Sequence, residues 1–174
     1  QICLKNAIID KVLVIPESEK KDHPELESLT SASIMQFLAQ GDVNFGESLK
    51  DQDVYPKAYV VELEDSIPGR LQFSLYNDSY VSVIHWLDEG EKARRIEKPE
   101  GYGDFLRLPK DSAVVFVDKS NFVQCKARGL ASKDQDDLVE ALQATGRINF
   151  DKSDLMLTKA EQFIEFKQND TIHV

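Results

Sequence analysis

The stretch that decides the fold is "LQFSLYNDSYVSVIHW", residues 71–86. Apolar and β-branched residues alternate on both sides of Asn77-Asp78, and this pattern predicts two antiparallel strands joined by a tight turn. A two-residue turn at Asn77-Asp78 sets the register of the hairpin. The predicted cross-strand pairs are Leu75 with Tyr80, Phe73 with Ser82, and Leu71 with Ile84.

The two faces of this hairpin differ in polarity. The paired residues above lie on one face together with Trp86, and this face is apolar enough to pack on the core. The opposite face carries Gln72, Ser74, Val81, Val83 and His85. Because antiparallel sheets can leave one face to water, we expect this second face to meet solvent or a partner.

The flanking segments predict an α+β fold in a single domain, residues 1–174. Strands are predicted at residues 11–15, 58–65 and 161–167, and a second hairpin at residues 113–127. One helix starts at Thr30 or Ser31 and stops at Gly41, and another spans residues 132–146. We therefore expect a mostly antiparallel, twisted sheet of five to seven strands, with two main helices packed on one face.

A short motif occurs twice. Gly-x-(Val/Ile)-Asn-Phe-x-x-Ser stands at Gly41–Ser48 and at Gly146–Ser153, each time directly after a predicted helix. A strand-like segment follows each copy at a similar distance. The pattern suggests an internal β-α-β duplication, although a glycine that ends a helix before a strand is also common in unrelated segments.

The charge of the chain bears on the kind of partner. The net charge is −10, which argues against nucleic acid as a ligand because phosphate binding needs a basic surface. A protein with a basic surface is the simplest complement. The sequence contains no apolar run long enough for a membrane-spanning helix, and no motif for a cofactor or a metal.

Two observations favour a secreted or periplasmic location over the cytoplasm. The first residue is Gln1 rather than Met, as after removal of a signal peptide. The two cysteines, Cys3 and Cys125, could form one disulfide, and two separate buried thiols are the alternative.

Few residues indicate catalysis. His85 could act as a general base in a small hydrolase, together with Cys125, Glu62 or a serine. Glu62 and Glu64 share one strand face, as paired carboxylates would, and a solvated sheet face explains them equally well. The spacing of the three histidines, His23, His85 and His173, does not match a metal site.

The best binding candidate is a long, Gly/Pro-rich, basic loop at residues 88–111. Within this acidic chain, residues 92–110 carry six basic and three acidic side chains. Long loops with aromatic residues are often functional. The candidate contacts in the loop are Arg94, Arg95, Lys98, Tyr102 and Phe105.

These features together favour a non-catalytic protein that binds another protein, of the inhibitor or immunity type. The alternatives are the hydrolase centred on His85 and a domain that holds a lipid or small ligand between sheet and helices.

Overall fold

The structure is a computed structural model of the chain. The residues that it describes are 7–8, 11–64, 69–77, 79–106, 141–142, 144–157, 160–168 and 171–173.

Nine strands, two α-helices and one 3₁₀ helix occur in the described residues. In chain order they are β1 (Val12–Pro16), α1 (Glu17–Asp22), the 3₁₀ helix (Pro24–Ser28), α2 (Ser31–Gln40), β2 (Asp42–Leu49), β3 (Lys57–Glu62), β4 (Arg70–Leu75), β5 (Val81–Trp86), β6 (Tyr102–Phe105), β7 (Arg147–Asp154), β8 (Glu161–Gln168) and β9 (Thr171–His173).

The strands form one mixed sheet in the order β2-β3-β4-β5-β1-β6-β7-β8-β9. Strands β1 to β8 form one hydrogen-bonded sheet. β9 is added to it by pairing with the last three residues of β8. All neighbours are antiparallel except β1 and β5, which are parallel. The predicted α+β class is confirmed, whereas the predicted count of five to seven strands was wrong.

The first strand in the sequence lies at the middle of the sheet. β1 pairs with β5 on one side and with β6 on the other. Leu13 and Ile15 face one side of the sheet and Val14 faces the other, and all three are buried. A strand that is buried on both faces requires such an unbroken apolar run, as in "VLVIP".

The helices cover one face of the sheet, called here the helical face. Ile34, Phe37 and Leu38 of α2 pack with Leu26 of the 3₁₀ helix against a row of apolar strand residues. In that row are Val43, Val61, Leu71, Phe73 and Ile84. Each of these side chains is worth about 1.5–3 kcal/mol when it is removed from water. The helical face is therefore the main core.

The opposite face is also buried along the central strands, contrary to expectation. Gln72, Ser74 and Val83 are fully buried, and His85 is 1% exposed. This face is covered by the segment that connects β5 to β6, residues 87–101, called here the crossing loop. Two of its apolar residues, Leu87 and Ala93, pack on Ala58 and Val60 of β3.

The hairpin of residues 71–86 exists, but its predicted register was wrong by two residues. Leu71 pairs with Trp86, Phe73 with Ile84, and Leu75 with Ser82. The turn is longer than two residues because Lys11 Nζ binds the carbonyl of Ser79 at 2.6 Å, and Val12 N binds that of Tyr80.

A slip of two residues leaves each strand face as it was, because side chains alternate with a period of two. The predicted faces therefore hold within the strands. Tyr80 falls outside β5, however, and is 54% exposed instead of buried. Trp86 is only partly buried, and its ring stacks on His23 with 4.9 Å between centroids.

The first predicted helix is confirmed. Thr30 caps α2 by accepting a hydrogen bond from Ser33 N at 3.1 Å, and Gly41 follows the last helical residue. Of the second predicted helix, only its last turn before Gly146 is described. The described residues do not include the hairpin predicted at residues 113–127. They also do not include Cys3 and Cys125.

The two copies of the repeated motif have the same local structure. In β2, Ser48 Oγ donates to the carbonyl of Asn44 at 2.6 Å and accepts from Val60 N at 3.0 Å. In β7, Ser153 Oγ donates to the carbonyl of Asn149 at 2.7 Å and accepts from Phe163 N at 3.0 Å.

The ladder shifts register at this point in both strands, as a β-bulge does. The serine hydroxyl thus replaces the ladder bond that the bulge removes.

Replacing either motif serine by alanine should destabilise the fold. Ser48→Ala and Ser153→Ala each leave a strand N–H without its acceptor, which costs about 1–3 kcal/mol when the group is buried. Urea denaturation of the two variants measures this loss. Ser18→Ala, at an exposed helical position, is the control and should stay within about 0.5 kcal/mol of wild type. Two variants as stable as this control would contradict the role of the serines.

Candidate functional site

The backbone of the crossing loop is fixed by side chains of the sheet. Gln72 Oε1 accepts from Arg94 N at 2.7 Å, and Gln72 Nε2 donates to the Arg94 carbonyl at 2.8 Å. Tyr76 donates its hydroxyl to the carbonyl of Ile96 at 3.0 Å. Burial of the Tyr76 ring raises the pKa of its hydroxyl, which therefore remains a donor. An irregular segment is thus held in one conformation by two buried side chains.

Further contacts tie the loop to β2, at one edge of the sheet, and to β7, beyond the central strands. Ala93 N donates to the carbonyl of Glu47 at 3.1 Å in β2. Lys98 Nζ donates to the carbonyl of Asp151 at 2.9 Å in β7. The loop therefore spans the sheet from the β2 edge to β7.

The basic residues of the loop lie at the protein surface. Arg94, Arg95 and Lys98 are exposed. Arg95 forms an ion pair with Asp51 at 3.2 Å, which is worth no more than about 1 kcal/mol at a surface. Among the described residues, no hydrogen bond or ion pair holds the Arg94 guanidinium group. The loop thus presents a fixed backbone with an exposed guanidinium group at Arg94.

The two aromatic candidates of this segment do not belong to the loop surface. Tyr102 and Phe105 lie in β6, a central strand that the sequence pattern missed. Tyr102 stacks under the Arg147 guanidinium at 4.7 Å and donates its hydroxyl to Glu165. Phe105 packs on the opposite face, in the cluster that contains Phe150. Both side chains are therefore engaged in the sheet and its core rather than in the surface of the crossing loop.

Glu62 and Glu64 also occupy different settings. Glu62 accepts from Arg70 at 3.0 Å and from Asn44 at 3.2 Å. Arg70 in turn binds Glu47 and the carbonyl of Asp88, so that this network closes the end of β3 and β4. Glu64 is exposed in the turn after β3. The two carboxylates therefore do not form a pair.

His85 has a carboxylate partner that the sequence did not reveal. Its Nδ1 lies 2.9 Å from Glu19 Oε1 of α1, and Trp86 N donates to Glu19 Oε2 at 3.1 Å. The segment containing Glu19 looks like a charged, solvated loop in the sequence. The contact joins positions 66 residues apart, and no local pattern encodes it.

The environment of Glu19 favours its charged form. Burial alone would raise the pKa of this carboxyl, but the hydrogen bond and charge of His85, the N–H of Trp86 and the charge of Arg94 outweigh burial and lower it. Arg94 of the loop and His85 of the sheet therefore act on one carboxylate. The structure thus unites two candidates that the sequence had assigned to separate sites.

His85 lacks the geometry of an accessible general base. Glu62 lies two strands away, because His85 pairs with Gln72 in β4 and Gln72 pairs with Val60 in β3. The second ring nitrogen, Nε2, is buried and has no hydrogen-bond partner among the described residues. A substrate would have to reach a side chain that is 1% exposed.

A second charged cluster connects α1 to β6 and β7. Asp104 binds Lys20 at 2.7 Å and Arg147 at 2.9 Å, and Arg147 also binds Glu17. Burial would raise the pKa of Asp104, but these two cations lower it. An open cleft of about 530 Å³ borders this cluster. The cleft is lined by Glu17, Lys20, Lys21, Glu27 and Asp104.

Comparison with protein families, with curated proteins and with solved structures returned no match. The part of the chain that the structure describes contains no group of three or more residues able to hold a metal ion. No helix in those ranges is both long and apolar enough to cross a bilayer.

The Glu19 carboxylate should contribute stability that depends on pH. Because its folded-state pKa lies below the unfolded value of about 4.3, its contribution is full above that value and is lost as the pH falls through the folded pKa. Glu19→Gln should therefore cost about 1–3 kcal/mol at neutral pH. The gap to wild type should shrink as the pH falls below about 4.3, because protonated Glu19 resembles glutamine.

Chemical denaturation at a series of pH values measures this gap. Glu25→Gln, at an exposed position in the 3₁₀ helix, is the matched control and should show no such gap. A difference between Glu19→Gln and wild type that stays constant over this range would refute the linkage.

Proposed function

We propose that this chain is a non-catalytic binding protein that engages another protein through the crossing loop. The observation that carries the proposal is the loop's construction: two buried side chains, Gln72 and Tyr76, fix its backbone, while Arg94 and Arg95 face solvent. A loop held in advance in its bound conformation loses little entropy on association. Inhibitors and immunity-type proteins benefit from this property.

The charges suggest what the partner surface is like. The body of the protein is acidic, with a net charge of −10, and the loop adds local positive charge. The complementary surface would have an acidic point facing Arg94 and a basic surround facing the body. The partner would therefore be a basic protein with an acidic recess in its binding surface.

The other two functions have weaker support. A hydrolase centred on His85 would need access to a side chain that is buried beneath the loop. A carrier of a lipid or small apolar ligand would need an apolar cavity, whereas the cleft near Asp104 has a charged lining. The location proposed for a binding protein of this type remains secreted or periplasmic.

We also propose that the two halves of the chain arose by duplication. Support comes from the matching bulges, in which Asn44 and Asn149 each accept a backbone N–H with their side-chain oxygen, at 3.2 and 3.1 Å. Gly41 N and Gly146 N each bond to the carbonyl four residues earlier.

Reversal of charge on the loop should abolish binding without affecting the fold. In Arg94→Glu/Arg95→Glu the fold should be kept, with a loss of stability of about 1 kcal/mol, because the change removes the exposed Arg95–Asp51 ion pair and the Arg94 charge that acts on Glu19. A protein captured from the source extract by wild type should be lost, and the purified complex should dissociate several-fold faster. Affinity capture with quantitative mass spectrometry, followed by surface plasmon resonance, measures both effects.

The control variant changes the net charge of the protein by the same amount as the arginine variant, but outside the crossing loop. Lys21→Glu/Lys152→Glu replaces two exposed lysines outside the crossing loop. It should retain the captured protein and change only the salt dependence of association. If both double variants lose the partner equally, net charge rather than the loop governs binding.

Release of the loop from the sheet should weaken binding even when both arginines are present. Gln72→Leu removes both bonds to the Arg94 backbone and should cost about 1–3 kcal/mol of stability. The partner's affinity should fall, since the loop must then be ordered on association. Ser74→Ala, which removes only the 2.9 Å contact from Gln72 to Ser74, is the control and should bind as wild type does. Equal affinity of Gln72→Leu and this control would show that a fixed backbone is unnecessary.

A further inference from the structure

The edge strand β2 has a counterpart inside the same chain. β2 pairs with β3 in the register in which β7 pairs with β8: Val43 lies opposite Val61, and Ile148 lies opposite Ile164. β7 also has β6 on its other side, whereas β2 stands at the edge of the sheet. The contacts between β6 and β7 therefore show how a further strand can be added to β2.

The backbone groups of Val43 and Phe45 point away from β3. Val60 N faces β2, because it donates to Ser48 Oγ at 3.0 Å. The N–H groups of an antiparallel strand face its two neighbours in turn, so those of Val61 and of Val43 opposite it point away from each other. Phe45 occupies the next outward position of β2. Its N–H donates to no acceptor among the described residues.

In the second copy of the motif, the equivalent backbone groups bind β6. Phe150, the counterpart of Phe45, donates its N–H to the carbonyl of Gly101 at 2.8 Å. Two residues along each strand, Gly103 lies opposite Ile148, and this pair is hydrogen-bonded by the same alternation. Phe150 is fully buried, whereas Phe45 is 39% exposed. The two copies thus differ by one strand.

β6 also shows which residue such a strand requires at its centre. A Cβ at Gly103 would meet the Phe150 ring at 2.6 Å, so that only glycine fits beside this ring. Val43 and Phe45 hold the places of Ile148 and Phe150 in β2. The residue opposite Val43 should therefore be glycine, which leaves room for the Phe45 ring.

The next residue of the strand is selected by charge. In the second copy, Asp104 of β6 lies opposite Arg147, and the two side chains form an ion pair at 2.9 Å. Asp42 holds the place of Arg147 in β2 and is exposed. Because the sign of the charge is reversed on β2, the residue opposite Asp42 should be lysine or arginine. The net charge of −10 also favours a basic segment.

Neither the crossing loop nor a second copy of β2 meets these requirements. The loop contacts β2 beyond this place, where Ala93 N donates to the carbonyl of Glu47 at 3.1 Å. In a second copy of β2, Gly46 could lie opposite Val43, but Glu47 would then face Asp42 with the same charge.

We infer that the outer edge of β2 binds an extended segment of a partner protein, which adds to the sheet as an antiparallel strand. The segment contains a glycine opposite Val43, followed by a lysine or arginine opposite Asp42. Main-chain hydrogen bonds to Val43 and Phe45 hold it, and the two side-chain positions select it. This second binding surface goes beyond the proposed function, and it depends on the matching geometry of the two copies rather than on their ancestry.

Synthetic peptides test the edge on the free protein. The probe is acetyl-Thr-Tyr-Gly-Arg-Val-Thr-amide, which should shift the NMR amide resonances of Val43 and Phe45 and leave that of Phe150 unchanged. Methylation of the glycine nitrogen should abolish binding, because it removes the N–H that faces β2. Methylation of the tyrosine nitrogen is the control and should retain binding, because that N–H points away from β2.

Exchange of charges tests the selection at Asp42. Replacing the arginine of the probe by glutamate should weaken binding to wild type several-fold, since like charges directly opposite each other repel. Asp42→Arg reproduces the sign of Arg147 and should reverse this preference. Glu25→Arg, which makes the same charge change at an exposed position of the 3₁₀ helix, should keep the preference of wild type.

Amide hydrogen exchange of the free protein completes the test. The Phe45 amide should exchange at nearly the rate of an unfolded chain, whereas the Phe150 amide should be protected. Equal protection of the two amides would show that the edge is already covered within the chain, and it would overturn the inference. A probe that shifts no β2 resonance up to its solubility limit also overturns it.

The peptides decide the matter even if Asp42→Arg does not fold. Equal binding of the probe, its glutamate version and its N-methylglycine version to wild type would overturn the inference. Such a failure leaves the proposed function intact, because binding through the crossing loop is tested separately by the Arg94 and Arg95 variants. Conversely, a bound probe does not rescue the crossing loop if charge reversal there leaves the captured partner in place.

Discussion

The parallel pairing of β1 with β5 is the constraint on which the rest of the structure depends. β1 is the first strand in the chain, yet it lies between β5 and β6 and joins the antiparallel strands on its two sides into one sheet. Because β5 then has β4 on one side and β1 on the other, the strand that follows β5 in the chain cannot pair with it as a hairpin. The chain after β5 must therefore cross a face of the sheet before it can form β6. The crossing loop results from this topology.

The same pairing explains the buried polar groups. Because β1 and β5 run in parallel, they end at the same edge, and α1, which follows β1, begins beside the end of β5. Glu19 is thereby placed where the ladder stops, and it accepts the Trp86 N–H that no strand can reach. On the face covered by the crossing loop, Gln72 accepts the N–H of Arg94, which has no strand partner. Glu19 and Gln72 thus each satisfy backbone groups that the topology leaves unpaired.

The sequence predicts those features that depend on short-range periodicity. The faces of β4 and β5 were predicted correctly although the register was wrong, since a slip of two residues preserves the alternation. The α2 helix, with its cap at Thr30 and its end at Gly41, was likewise predictable from local residues. Strand β8 was found within one residue of its limits, although its apolar pattern is irregular.

Features that depend on distant residues were not predictable. β6 has four residues, one of them Gly103, and gains its place only from pairing with β1 and β7. Burial of Gln72 and His85 depends on a loop that reads as solvated. The partner of His85 comes from α1, and nothing near Glu19 in the sequence marks it as a partner. The sequence offered Arg94 only as a candidate contact, and the clamp by Gln72 that fixes its backbone was not predictable.

The contrast between the loop's backbone and its side chains bears on how recognition would operate. A surface cation gains little from one ion pair, because solvent screening and side-chain entropy offset the attraction. The gain is greater where the backbone needs no further ordering, as at Arg94, whose N–H and C=O are already bound. The acidic body acts at longer range and influences the rate of encounter, which salt suppresses. Specificity would therefore reside in the geometry that Gln72 imposes on the loop, and the rate of association in the net charge.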